Sequence, residues 1–172
     1  MKQYKTFETK RLFIRPVDER DAEFIFSLMT SPMWLQHIGN RGVHTVEEAR
    51  TYILTKMLPQ LVRLGFGNYT VIRKSDGAKM GTCGLHDRPG LDGIDIGYAF
   101  LEQYHGQGYA YEAAERLKQA AIEDFRFTGL CAITTHENTP SQRILEKLGL
   151  ELVGTVHIEN DPKELRLYKI DL

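Results

Sequence analysis

The chain has 172 residues, a length that suits one compact domain with a sizeable core. Hydrophobic residues make up 42% of it and charged residues 26%, a balance that excludes disorder as the main state. The formal net charge of -1 offers no electrostatic attraction for nucleic acid, so no nucleic-acid partner is expected.

The sequence predicts a cytoplasmic protein that makes no membrane contact. No apolar run reaches the length that spans a bilayer, and the opening Met-Lys-Gln-Tyr-Lys is too polar for a signal peptide. Cys83 and Cys131 lie far apart in strand-like runs, a pattern typical of buried thiols in a reducing compartment. No metal site is expected, because His86 with Asp87 is too sparse a set of ligands.

The first third of the chain predicts a strand, a helix and a loop. The strand covers residues 10–15 and the helix covers residues 18–29. The loop of residues 30–44 carries Trp34 and His37. These two side chains either line the mouth of a substrate site or simply pack the loop onto the domain.

A second helix and an antiparallel meander follow. The helix spans residues 45–64, begins with a capping box at Thr45, and must bend or break at Pro59. A hairpin turn with the Asp-Gly signature, at residues 75–77, joins the first two of three strands. The strands cover residues 69–73, 79–86 and 94–100.

A glycine-rich loop stands where the third of these strands gives way to a long helix. Gly106 and Gly108 fall in the run Gln-Tyr-His-Gly-Gln-Gly-Tyr-Ala, after which apolar residues recur at helical spacing to about Phe127. Glycines let backbone N–H groups crowd together, and a helix N-terminus adds unsatisfied N–H groups and a positive dipole end. The loop is therefore either a cradle for a phosphate-sized anion or a tight turn that binds nothing.

The remaining elements place this loop at an edge of the sheet where ligands collect. Residues 130–135 form a strand parallel to residues 94–100, because a strand, a helix and a strand in this order make a right-handed crossover. The loop then lies at the carboxyl end of the first strand, the usual ligand position in open α/β sheets. A short helix capped by Thr139 follows, and strands at residues 151–158 and 165–170 close the chain.

These motifs resemble the Gcn5-related N-acetyltransferase (GNAT) family, and more closely its ribosomal-protein N-terminal acetyltransferase (RimJ/RimL-like) branch. The family's Gln/Arg-x-x-Gly-x-Gly/Ala signature is similar to residues 105–110, with His105 where Gln or Arg is usual. Its Asn-x-x-Ser motif, followed by a helix ending in Leu-Gly-Phe, is similar to residues 138–141 and 148–150. The opening residues 9–15 also resemble the first strand of the branch.

The resemblance implies one acetyltransferase domain over residues 1–172 with an α/β (α+β) fold. The expected architecture is a central mixed, mostly antiparallel, twisted sheet of about six to seven strands flanked by about four helices. The implied enzyme uses acetyl-CoA as cosubstrate and acetylates an amine acceptor, either a small molecule or a protein N-terminus. It is expected to be a monomer or a homodimer.

The resemblance also implies which residues contact acetyl-CoA. The pyrophosphate would bind the N–H groups of the glycine loop, and the pantetheine would pair like an extra strand with the strand before it. Asn138 would hold amide groups of the cofactor. The cofactor-binding residues implied in this way are Ile96, Gly97, Tyr98, His105, Gly106, Gln107, Gly108, Tyr109, Ala110, Asn138 and Ser141.

Amine acetylation needs an acceptor for the amine proton and a hydrogen bond for the departing thiolate. Deprotonation at pH 7 costs about 4.6 kcal/mol for a lysine-type amine and about 1.4 kcal/mol for an α-amine. Asp95 matches the position of the base in histone-type members, although it could be only a solvated charge. Glu102, His86, Asp87 and water stay open as alternatives. Ser141, on the first turn of its helix, is expected to serve the thiolate, and its alternative role, helix capping, is better filled by Thr139. Leu145 stands where other relatives carry an acid tyrosine, which disfavours a tyrosine acid here.

Several alternatives stay open on the sequence alone. The domain could bind acetyl-CoA as a sensor without catalysing transfer. Direct transfer in a ternary complex is favoured over an acetyl-cysteine intermediate, because neither cysteine carries a partner signal. The acceptor mouth is expected at residues 30–44 and 86–93, and its motifs do not identify the amine.

Overall fold

Eight strands pair into one mixed sheet in this computed structural model, which describes residues 2–172. The strands are β1 (Phe7–Glu8), β2 (Leu12–Pro16), β3 (Asn68–Arg73), β4 (Lys79–His86), β5 (Asp95–Phe100), β6 (Gly129–Thr134), β7 (Glu151–Val156) and β8 (Leu165–Asp171). Their order across the sheet is β1-β2-β3-β4-β5-β6-β8-β7. The expected mixed, mostly antiparallel fold is confirmed, and the sheet is slightly larger than expected because β1 is too short to show in the residue pattern.

Five helical segments flank the sheet. They are α1 (Ala22–Met29), α2 (Pro32–His37), a third segment made of α3 (Val46–Tyr52), a π-helical stretch (Ile53–Met57) and α4 (Leu58–Leu64), then α5 (Tyr109–Glu123) and α6 (Thr139–Lys147). The third segment begins at Thr45, whose hydroxyl caps the N–H of Glu48 at 3.0 Å. Its π-helical stretch lies just before Pro59, which has no N–H to donate to the helix.

Several elements differ from the prediction, including the three described next. Residues 30–44 contain the helix α2, because Ser31 caps it and Pro32 occupies its first turn. The long helix α5 ends at Glu123 rather than near Phe127, and Arg126 adopts a left-handed φ of 59°. Asn138, not Thr139, caps α6, and its side-chain oxygen accepts the N–H of Ser141 at 3.2 Å.

The core of the domain joins the sheet to α5 and α6. One buried cluster includes Ile96 of β5, Leu117 of α5 and Leu145 of α6. A second cluster joins α1 to the third helical segment through Ile25, Ala49 and other apolar side chains. Of the helices in residues 2–172, none combines the length and the apolar character that a membrane span requires.

Candidate active site

The strands β5 and β6 separate at the centre of the sheet. They run parallel and share one pair of facing residues, Asp95 and Cys131, beside a hydrogen bond from the Cys131 N–H to the Ile94 carbonyl at 2.8 Å. On its other side β5 pairs with β4 along its whole length. Within the described residues, the edge of β5 that faces β6 therefore has no strand partner beyond Asp95, and this open edge includes the predicted residues Ile96, Gly97 and Tyr98.

The glycine loop lies at the carboxyl end of β5, as predicted. Gly106 has a φ of 73° and Gly108 a φ of 82°, values that side chains with a Cβ rarely adopt. In the part of the chain that the structure describes, the N–H groups from Gly106 to Ala110 donate to no backbone carbonyl. The loop therefore presents several free N–H groups at the N-terminus of a helix of 15 residues.

Side chains remote in sequence fix the shape of this loop. Arg11 donates to the Gln107 carbonyl at 3.0 Å and pairs with Glu112 at 2.7 Å, and its guanidinium lies 4.2 Å from the Tyr109 ring centre. His105, predicted as a cofactor contact, has its Nε2 2.8 Å from the Phe100 carbonyl. Arg11 could not be predicted as part of the site, because its contacts join residues 96 to 101 positions apart in the sequence.

Hydrogen bonds join Tyr98 of β5 to Ser141 of α6, and this contact is called the Tyr98–Ser141 bridge. The Tyr98 hydroxyl donates to the Ser141 carbonyl at 3.0 Å and lies 3.2 Å from the Ser141 hydroxyl. Burial raises the pKa of Tyr98, so its proton is retained. The predicted residue Ser141 thus lies at the site, and the Tyr98 side chain joins it although only the Tyr98 backbone was expected there.

Two of the five buried side-chain nitrogen and oxygen atoms that have no hydrogen-bond partner among residues 2–172 are hydroxyls on the strands beyond the gap. They belong to Thr134 on β6 and Tyr168 on β8, which are 6% and 0% exposed. A buried hydroxyl without a partner costs free energy, and a polar group of a ligand that reached it would relieve that cost. The open β5 edge and the N–H groups of the glycine loop fit an extended cofactor that carries amides and a pyrophosphate.

Asp95 lies at the point where β5 and β6 begin to separate, and it is already paired. Its side chain is buried, and its Oδ2 lies 3.0 Å from both Nε and Nη2 of Arg88. The other carboxylate candidates lie apart from it. Glu102 is exposed in the turn after β5, and Asp87 is exposed beside Arg63, with 3.4 Å between Oδ2 and Nη2.

His86 lies opposite Asp95 in the pairing of β4 with β5. Its ring is half-buried and occupies space left by two glycines. A Cβ on Gly84 would lie 2.6 Å from the ring Nε2, and a Cβ on Gly97 would lie 3.6 Å from it. Burial lowers the pKa of His86, whereas the charge of Asp95 raises it in part and that of Arg88 lowers it further.

The predicted acceptor mouth lies next to the end of β6. His37 of α2 places its Nδ1 2.9 Å from the hydroxyl of Thr135. Burial lowers the pKa of His37, with a further lowering by Lys163 and an opposing effect of Glu137. Trp34 packs partly buried against the α1 cluster, which matches the packing alternative for that side chain.

Both cysteines are buried free thiols. Burial raises the pKa of Cys83 to about 12, and burial together with the charge of Asp95 raises that of Cys131 to about 11. Thiols with such values stay protonated at neutral pH and are poor nucleophiles. Within residues 2–172, no three His, Cys, Asp or Glu side chains come close enough to hold a metal ion together.

Comparisons with known proteins agree with this geometry. Residues 11–151 match the family described as acetyltransferase (GNAT) domain. An uncharacterised N-acetyltransferase of Bacillus licheniformis, p20, is 27% identical over 152 residues, which cover 87% of this chain and 84% of p20.

Solved structures share the whole fold. The crystal structure of a GNAT-family acetyltransferase from Bacillus anthracis is 25% identical, with a TM-score of 0.80 over 97% of this chain and 98% of that one. The structure of RimL, a ribosomal L7/L12 alpha-N-protein acetyltransferase in complex with coenzyme A, is 16% identical, with a TM-score of 0.83 over 98% of each chain. At that identity the RimL structure supports the fold alone. The chain therefore belongs to the acetyltransferase (GNAT) family, and it is an N-acetyltransferase of that family.

Proposed function

We propose that this domain transfers the acetyl group of acetyl-CoA directly to a primary amine within a ternary complex. The observation that supports this best is the gap between β5 and β6, which opens beside the glycine loop and the Tyr98–Ser141 bridge. When bound, acetyl-CoA supplies an acetyl thioester at this place.

The glycine loop is proposed to hold the pyrophosphate. Free N–H groups from Gly106 to Ala110 would donate to its oxygens, and each charge-assisted bond is worth roughly 1.5–3 kcal/mol. The open edge of β5 at Ile96, Gly97 and Tyr98 would pair with the pantetheine amides. Asn138 keeps its side-chain NH₂ group for the ligand, because its oxygen already caps Ser141.

Ser141 and Tyr98 are proposed to stabilise the negative charge that develops on the thioester sulfur. Because the Tyr98 hydroxyl can donate to the Ser141 carbonyl and accept from the Ser141 hydroxyl, or leave that hydroxyl free, the pair can reorient as the charge forms. A thiol with a pKa near 8.5 leaves fairly well, so a hydroxyl donor is sufficient. Asp95 is proposed to assist removal of the amine proton through its negative charge. It lies at the end of the gap where β5 and β6 still pair.

The acceptor is proposed to be either a protein N-terminal α-amine or a small-molecule amine. An α-amine asks least of the site, because its deprotonation at pH 7 costs only about 1.4 kcal/mol. The helix α2 and the loop of residues 86–93 would form the mouth, since His37 links α2 to the end of β6. The free thiols Cys83 and Cys131 favour the cytoplasm as the compartment, and the domain would act as a monomer or a homodimer.

A thiol-release assay tests this function and sorts the acceptors. The purified protein is incubated with acetyl-CoA and with four classes of amine: a peptide N-terminus, an amino acid, a polyamine and an amine-bearing antibiotic. We expect CoA to appear with at least one class, in proportion to acetylated amine. Tight binding of acetyl-CoA without CoA release in any class would indicate a sensor instead of an enzyme.

Replacing Ser141 by Ala is expected to lower kcat about ten- to a hundredfold while the affinity for acetyl-CoA changes little. The hydroxyl acts mainly on charge that exists only in the transition state, and the thiolate is already a fair leaving group. Tyr98→Phe, which removes the bridging hydroxyl, should lower kcat in the same direction. Ser27→Ala, at an exposed hydroxyl on α1, is the matched control. Wild-type turnover in both site variants would limit Ser141 to a role in the helix.

Replacing Cys83 and Cys131 by Ala is expected to leave turnover close to the wild-type value. Both thiols are held protonated by burial, so neither can carry the acetyl group. Mass spectrometry of the protein quenched during turnover should show no acetylated cysteine. An acetylated Cys peptide that disappears when amine is added would instead show transfer through the enzyme.

A further inference from the structure

The surrounding backbone leaves room for the ring of His86 close to the end of the β5–β6 gap where the two strands still pair. It ends β4, faces Asp95 across the strand pair, and lies over Gly84 and Gly97. Glycine at both positions matters, because a Cβ on Gly84 would lie 2.6 Å from the ring and a Cβ on Gly97 would contact it at 3.6 Å. The imidazole therefore lies on the face of the sheet above Gly97, one of the residues of the open β5 edge.

The ring of His86 is available for proton transfer, whereas the neighbouring titratable groups are engaged. In residues 2–172, neither nitrogen of the ring makes a hydrogen bond or an ion pair, unlike the ring nitrogens of His37 and His105. Asp95 is held by two guanidinium nitrogens of Arg88, each at 3.0 Å. His37 is bonded to Thr135 at 2.9 Å, and Glu102 lies beyond the other end of β5.

The surroundings of the ring favour a neutral imidazole at rest and can stabilise the imidazolium that forms when the ring accepts a proton. Burial lowers the pKa of His86, so the ring is neutral at pH 7 and has a lone pair for a proton. Asp95 on β5 and Arg88 in the following loop are the charged groups that act on it. Cys131 on β6, beside Asp95, stays a neutral thiol because burial raises its pKa. The carboxylate of Asp95 would stabilise an imidazolium as it forms, and Arg88 fixes that carboxylate in place.

We propose that His86 is the general base of this acetyltransferase and that Asp95 acts through it as a positioning residue. The inference rests on the proposed function. The amine nitrogen forms a bond to the thioester carbonyl carbon, and the carbon–sulfur bond breaks with its electron pair passing to sulfur. A nitrogen of His86 takes the proton that the amine loses and later releases it to solvent. Ser141 and Tyr98 stabilise the thiolate from the other face of the sheet, because Tyr98 follows Gly97 and successive side chains of a strand point to opposite faces.

The pH dependence of kcat/KM separates His86 from Asp95 as the base. With the acceptor found by thiol release, the wild type should show an acid-side inflection below pH 6.5, the ordinary pKa of histidine. His86→Gln should abolish this inflection and lower kcat/KM at neutral pH about a hundredfold or more. Asp95→Asn should keep the inflection but move it to lower pH, because the imidazolium loses its counter-charge. An inflection that survives in His86→Gln, or that only Asp95→Asn abolishes, would overturn the assignment.

Proton NMR of the imidazole gives a readout that does not depend on activity. The His86 Cε1–H resonance, assigned by its loss in His86→Gln, should titrate below pH 6.5 in the wild type and lower still in Asp95→Asn. A His86 pKa at or above its ordinary value would contradict the inference. His44→Gln, at an exposed histidine before α3, is the control for both measurements. Thermal melts establish that each variant is folded, and His86→Asn replaces the Gln variant if that one is not.

The outcomes also distinguish this inference from the function on which it rests. If no amine causes release of CoA from acetyl-CoA, the proposed function is wrong, and the assignment of His86 as its base is wrong as well. If CoA is released but the His86→Gln profile equals that of the wild type, the acetyltransferase stands and only the base assignment falls. Gly84→Ala offers a supporting test, because it displaces the ring and should reduce kcat/KM in the same way without removing the imidazole.

Discussion

Asp21→Ala is expected to lower the free energy of unfolding by about 3–5 kcal/mol, the usual cost of breaking a buried ion pair. The side chain of Asp21 is 0% exposed. Its Oδ1 lies 2.8 Å from Arg15 and 2.7 Å from Lys79, and its Oδ2 accepts from Thr70 at 2.9 Å. Without the carboxylate, two cations would share one place and a buried hydroxyl would lose its partner. Chemical denaturation at pH 7 measures the loss.

The pH dependence of the free energy of unfolding tests the contribution of Asp21 in a second way. Burial alone would raise the pKa of Asp21, but hydrogen bonds from Arg15 and Lys79 outweigh it and hold the pKa well below the ordinary value. A lowered folded-state pKa means that the contribution is fully present above about pH 4 and is lost as the pH falls below it. The difference between wild type and variant should therefore shrink in acid. Glu47→Ala, at an exposed pair with Arg50, should cost less than about 1 kcal/mol, and an equal loss there would contradict the account.

Gly108→Val is expected to weaken the binding of acetyl-CoA about a hundredfold or more. Gly108 has a φ of 82°, so a β-branched residue must change the backbone there and redirect the N–H groups of the loop. Losing two charge-assisted bonds of roughly 1.5–3 kcal/mol each corresponds to at least a hundredfold change in Kd. A Cβ would also lie 3.4 Å from the Arg11 guanidinium that holds Gln107. Isothermal titration calorimetry with acetyl-CoA measures the effect.

Gly65→Val is the matched control for backbone strain. Gly65 ends α4 with a φ of 85°, and a Cβ there would meet nothing within 4 Å. Both variants should lose similar stability, but only Gly108→Val should lose affinity for the cofactor. Unchanged affinity for acetyl-CoA in a folded Gly108→Val protein would contradict the assignment of the glycine loop as the pyrophosphate site.

The backbone plan could be predicted from the sequence because its signals are local. Alternating and apolar runs marked the strands, and the order of a strand, a glycine loop, a long helix and a strand implied the parallel pairing of β5 with β6 that the structure confirms. The helix α2 was missed, since six residues give too short a pattern and only the Ser-Pro start at Ser31 signals it. The cap of α6 is Asn138, one residue before the predicted Thr139, because Asn and Thr in succession are both good caps.

The side chains of the site could be predicted only where a motif named them. Ser141 follows from the Asn-x-x-Ser motif, but its contact with Tyr98 joins residues 43 positions apart, so no local pattern reveals it. Asp95 was singled out by position, whereas its pairing with Arg88 depends on how the intervening loop folds. The ring of His86 lies over Gly97 because strands β4 and β5 pair in one particular register, which the sequence does not specify.

Transfer of a labelled acetyl group tests the central claim most directly. The protein is mixed with acetyl-CoA that carries carbon-13 in its acetyl group and with the acceptor found by thiol release, and the products are followed by mass spectrometry. The account predicts that labelled N-acetyl amine and free CoA appear in equal amounts, with no label on the protein. Saturable binding of acetyl-CoA in the gap, with no labelled amine from any acceptor class, would contradict it.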